Sequence, residues 1–113
     1  MIQPEIAFKG IRPGSGFSTW VVPKDLPYFD GHFPGMPILP AVAMVDASTY
    51  ILRQALGRDE LTLKGVVSAK FMSPIGPESQ LHIVLTRHEN SEWQLDWKDS
   101  PSGRLLATLR VQV

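Results

Sequence analysis

Between Pro40 and Gly57 runs the segment AVAMVDASTYILRQAL, and no other stretch restricts the fold as much. Pro40 suits a first helical position and Gly57 a stop just past the last turn, so the spacing predicts one helix. Its first turns are apolar almost all round, with no clean polar face. Such a helix has to be covered on most of its sides. The chain has 113 residues, room for one domain, read here as residues 1–113.

The residues after Gly57 supply the cover. Leu61–Met72, Gln80–His88, Glu92–Lys98 and Arg104–Val113 read as strands, punctuated by SPIGPE, ENSE and DSPSG. Alternation is clearest in the last two. Trp93, Leu95 and Trp97 share one face, and Leu105, Ala107, Leu109 and Val111 share one face. Ahead of the helix, Gly16–Pro23 reads as a first strand. Consecutive strands joined by short turns imply an antiparallel sheet. The expected class is therefore α+β, an antiparallel sheet wrapped around one long central helix. Each has a single layer, so a second copy is expected to cover what remains open.

Composition narrows the function classes. With 43% hydrophobic and 19% charged residues, the chain reads as globular. Its 11 basic and 11 acidic residues cancel, which argues against nucleic acid or an anionic membrane as partner. There is no cysteine, which removes disulfides, thiolate catalysis and cysteine-ligated zinc. No secretory leader and no membrane-spanning run is read, so a cytoplasmic location is the default expectation.

Two residues stand out chemically. The segment from Lys24 to Pro40 carries four prolines and two glycines between Leu26 and Pro40, so it reads as a long loop. Within it His32 sits in GHFPG, a setting that fixes the backbone around an imidazole able to act as a base near neutral pH. Asp46 puts a carboxyl group inside the apolar helix. Its helical neighbours Val42, Ala43, Thr49 and Tyr50 include no cation. Either Asp46 is half-exposed and hydrogen-bonded to Tyr50 or a serine, or it faces an apolar cavity where it gives or takes a proton. The N–H groups of Ala41, Val42 and Ala43 at the helix start are expected to lack helical partners, and a developing oxyanion would be stabilised there. His82 and His88 lie in strand patterns and read as structural or surface residues.

The stretch YFDGHFPGMPILPAVAMVDA resembles the signature of the β-hydroxyacyl-acyl-carrier-protein dehydratases. It has the histidine in a G-H-F-P-G loop, the following P-x-x-P, and a carboxylate fourteen residues after the histidine. AKFMSPIGPESQL is similar to a second segment of that family, and the strand order is similar to its hotdog fold. The resemblance implies that His32 removes the α-proton and Asp46 protonates the departing β-hydroxyl. The backbone N–H of Ala41 holds the thioester carbonyl. Gly31, Phe33, Pro34 and Gly35 form the active-site loop, and Met36, Ile38 and Tyr50 are acyl-tunnel candidates. It also implies no metal or organic cofactor, an acyl carrier protein as partner, and a dimer at minimum, whose His and Asp come from different subunits: a homodimer or larger homo-oligomer, with a heterodimer as the alternative. Departures fall at Ala41 and Tyr50, where relatives commonly have glycine and glutamine. Glu78 and Ser79 stand in a usual P-G-D turn, and Met72 and Ser73 replace a basic pair. Lys70, Arg53 and Arg58 remain as candidate carrier contacts. The short chain looks like the small dehydratases of aryl-polyene and polyketide-like clusters. A hotdog thioesterase and a non-catalytic subunit of a heteromeric dehydratase stay open as alternatives.

Overall fold

The structure, a computed structural model, describes residues 8, 10–29 and 37–113. Strand β1 (Arg12–Gly14) and strand β2 (Phe17–Val21) form a hairpin. A 3-10 turn (Pro27–Phe29) comes next, then helix α1 (Ala41–Leu56). Strands β3 (Gly65–Phe71), β4 (Gln80–Arg87), β5 (Glu92–Asp99) and β6 (Leu105–Gln112) complete the chain. All six strands join one antiparallel sheet in the order β1-β2-β4-β5-β6-β3. The helix and the later strands fall where the sequence places them. Strand β1 is not foreshadowed, because Arg-Pro-Gly carries no alternation. It exists through its turn into β2, where a Cβ on Gly14 would stand 2.7 Å from the Phe17 ring.

Two expectations need correcting. Leu61 to Lys64 do not extend β3. Leu61 is buried in the loop before it, its N–H donating to the Arg58 carbonyl and its own carbonyl accepting from Arg53 Nε at 2.8 Å. Leu105 does not share the buried face of Ala107, Leu109 and Val111. The register runs Trp97↔Ala107 and then Lys98↔Leu105, so Leu106 is an extra residue in a bulge. The bulge turns Leu106 inward and leaves Leu105 exposed.

The helix ends match the reading closely. Pro40, in extended conformation, is the N-cap and not the first helical residue, so the helix starts one position later than expected. Gly57 ends the helix at φ 63, and its N–H reaches back to Arg53 and Gln54 carbonyls while Arg58 N–H bonds Arg53 O at 3.0 Å. That closing motif needs a left-handed residue, which glycine enters without steric cost. Gly57→Ala is therefore expected to lower stability by about 1 kcal/mol, measured by urea denaturation, with no change in the slope of the transition.

One face of α1, built from Ala43, Met44, Ala47, Ser48, Ile51 and Leu52, is buried. Each large apolar side chain placed there contributes about 1.5–3 kcal/mol. The sheet meets it with Trp20, Leu81, Ile83, Leu95, Trp97 and Leu109. The opposite stripe, Val42, Val45, Asp46 and Thr49, is only partly covered, and Val42 is 60% exposed. A single sheet covers a single face, so the helix is less enclosed within one chain than its composition implies. Strand β3 pairs with β6 on one side only, and all seven of its residues are exposed.

Candidate active site

The helix start is fixed from two directions. Leu39 N–H donates to Ile75 O at 2.7 Å, tying the segment before α1 to the segment after β3. Val22 and the turn at Glu78 and Ser79 exchange backbone bonds of 2.7 and 2.9 Å, which holds that connection against the end of β2. Glu78 occupies φ 67, a left-handed conformation that favours glycine.

These ties create an apolar cleft of about 280 Å³. Ile38, Pro40, Ala41 and Met44 form one wall, and Phe71 and Met72 of the β3 end form the other. Ile38 and Ala41, assigned from the sequence to the acyl tunnel and to the carbonyl contact, thus meet in one place. Tyr50 does not line that cleft; it lies half-buried against the core two turns further along. The first backbone bonds into the helix are those of Ala43 and Met44 N–H to Pro40 O, at 3.0 and 3.2 Å. Ala43 therefore leaves the set of free donors, because the first turn tightens to reach the Pro40 carbonyl. Ala41 and Val42 precede those bonds.

Asp46 lies on another side of the helix. It is five positions on from Ala41, a rotation of about 140° at 3.6 residues per turn. Its carboxylate Oδ2 accepts a hydrogen bond from the Tyr28 hydroxyl at 2.8 Å. The partner is neither Tyr50 nor a serine, the candidates offered by sequence proximity. Ser48 and Thr49 instead donate to the Met44 and Val45 carbonyls one turn back. Burial, and then the bond to Asp46, push the Tyr28 phenol well above the ordinary tyrosine range. The contact spans 18 residues of sequence and has no local signature.

His32 and its loop neighbours Gly31, Phe33, Pro34 and Gly35, together with Met36, lie outside the described residues. Of the candidate carrier contacts, Lys70 and Arg58 are exposed, whereas Arg53 is held against Leu61 O. His82 stacks on Phe17 at 4.8 Å and His88 bonds Gln94 at 2.9 Å, both structural contacts of the sheet. Among the described residues, no helix is long and apolar enough to cross a membrane.

Comparison with known proteins agrees with this layout. The dehydratase heterocomplex ApeI:P from Xenorhabdus doucetiae superposes with a TM-score of 0.70 at 20% identity, covering 88% of each chain. A 1,4-dihydroxy-2-naphthoyl-CoA thioesterase from Synechocystis superposes with a TM-score of 0.58 at 18% identity, over 87% of this chain and 79% of its own. One helix held by a six-stranded antiparallel sheet, shared with such proteins, is the hotdog fold. In sequence, a 3-hydroxyacyl-[acyl-carrier-protein] dehydratase FabZ of Myxococcus xanthus is 33% identical over 116 positions, covering 88% of this chain and 76% of that one. Another FabZ, of Nitratidesulfovibrio vulgaris, is 33% identical over 95 positions and 72% of this chain. The match spans 59% of that relative's length. The family model for ApeI-like proteins, described as ApeI dehydratase, matches residues 15–107. The chain belongs to this ApeI-like dehydratase family.

Proposed function

We propose that the protein dehydrates a β-hydroxyacyl thioester, carried on the phosphopantetheine arm of an acyl carrier protein, to the trans-2-enoyl thioester. The imidazole of His32 takes the α-proton. The electrons of that C–H bond form the double bond as the β C–O bond breaks. The carboxyl group of Asp46 gives its proton to the departing hydroxyl, which leaves as water. Return of the proton from imidazolium to carboxylate resets the pair, so the reaction consumes no cofactor. The Ala41 N–H stabilises the charge that gathers on the thioester oxygen. The observation that carries this reading is Ala41 beside an apolar cleft at the start of a helix whose first three turns hold one charged side chain, Asp46.

The same reading needs two chains. Asp46 and the Ala41 cleft lie on different sides of α1, so one protomer does not bring them together. Strand β3 offers an unpaired edge, with Val66, Val67 and Phe71 about half exposed and Met72 just beyond. A long apolar edge of this kind is a template for strand pairing. Pairing with β3 of a second copy would bury that edge, and this reading takes Asp46 from one subunit and the Ala41 N–H from the other. The alternative occupant of that edge is a related hotdog chain, as the ApeI neighbour is itself part of a heterocomplex.

The test is to incubate the purified protein with a β-hydroxyacyl thioester and follow enoyl absorbance and free thiol together. Enoyl formation without thiol release is the expected result. Thiol release points to a thioesterase instead. No turnover, with a second hotdog chain co-purifying, points to a non-catalytic subunit.

A further inference from the structure

We propose that Tyr28 is a positioning residue for Asp46, holding one carboxyl oxygen so that the other is presented to the substrate; this rests on the dehydratase reading above. The phenol reaches the helix on a rigid support. Its ring stacks on Phe8 at 5.9 Å, and Phe8 meets Trp20 edge-on at 5.1 Å. The 3-10 turn that carries it is closed by Phe29 N–H to Leu26 O at 3.0 Å, with Phe29 buried beneath. The hydroxyl donates to Oδ2 of Asp46 at 2.8 Å.

The two hydroxyls nearest Asp46 on its own helix, Ser48 and Thr49, are committed to backbone carbonyls. The orientation of the carboxyl group therefore falls to a residue from outside the helix. Oδ2 is occupied as an acceptor, which leaves Oδ1 as the oxygen that carries the transferable proton. The phenol keeps its own proton more firmly than an ordinary tyrosine, so it acts as a fixed donor and not as the acid. An aspartate has two side-chain torsions, and on a half-buried helix surface its carboxyl plane is otherwise free to turn. Fixing that plane places the proton before substrate arrives.

Tyr28→Phe deletes a single oxygen and keeps the stacking ring. Steady-state kinetics with the β-hydroxyacyl thioester are expected to show kcat down about tenfold with KM within about twofold, since the contact orders the acid and touches no substrate. The far-ultraviolet spectrum should be unchanged. An unchanged kcat, or a loss confined to KM, in a wild-type protein that turns over sinks this inference and leaves the dehydratase reading standing. A wild type with no enoyl formation sinks the dehydratase reading and the catalytic role of Tyr28 with it. Should Tyr28→Phe fail to fold, proton NMR of the wild type decides. A tyrosine hydroxyl held by a carboxylate gives a protected downfield resonance, expected in wild type and lost in Asp46→Ala. Its absence from wild type overturns the inference.

Discussion

Asp46→Asn is expected to lower kcat for enoyl formation by about 10²- to 10⁴-fold while the protein stays folded. The substitution keeps the shape of the side chain. The amide oxygen still accepts from the Tyr28 hydroxyl, 2.8 Å away in the native protein, so the contact between the 3-10 turn and α1 survives. The acidic proton is lost. A carboxamide does not protonate a leaving hydroxide, and no other carboxyl group stands in the first three turns of the helix to take over. The thermal midpoint should therefore move by no more than a few degrees, as for a surface-like change of under about 1 kcal/mol. Full activity in the Asn variant would remove Asp46 from the chemistry and leave it a structural residue tied to Tyr28.

Trp97→Ala carries the largest expected loss of stability. Trp97 is fully buried at the centre of the sheet, in register with Ile83 of β4 and Ala107 of β6. Removing the indole leaves a cavity that neighbouring strands cannot close, at a cost of about 3–5 kcal/mol. Against a total of about 5–15 kcal/mol for a domain, that is a large share. The indole N–H, however, is buried with no hydrogen-bond partner among the described residues. An orphaned donor costs about 1–3 kcal/mol. Trp97→Phe deletes that donor and retains a ring, so it should cost at least about 2 kcal/mol less than Trp97→Ala. Urea denaturation of the two variants measures the difference. Equal losses would mean that the N–H is satisfied in solution, or that ring volume does not govern this position.

Much of this architecture is legible in the chain itself. Helix α1 announces its ends because Pro40 and Gly57 act through their own backbone geometry, which needs no tertiary partner. Strands β4 and β5 are visible because period-two alternation survives wherever one face is buried. The Leu106 bulge is not visible, since an inserted residue leaves a plausible alternation on either side of it. Strand β1 depends on its partner and not on propensity.

The site divides in the same way. The sequence singles out Asp46 because a carboxylate is out of place among apolar helical neighbours. It does not reveal Tyr28, because a hydrogen bond across 18 residues is a product of folding. One layer of each predicts that part of α1 stays open, but not which part. The half-open stripe at Val42, Val45 and Asp46, and the bare edge of β3, emerge only when the layers are counted.

That incompleteness is the core of the account, and mixing two inactive variants tests it. His32→Ala and Asp46→Asn proteins are each purified, shown to be inactive, then unfolded together in equal amounts and refolded. If every active site takes its imidazole from one subunit and its carboxyl group from the other, random pairing restores roughly a quarter of wild-type activity, one intact site in each mixed dimer. If the mixture stays as inactive as its components while wild type recovers under the same treatment, the two residues do not meet across subunits and the account fails.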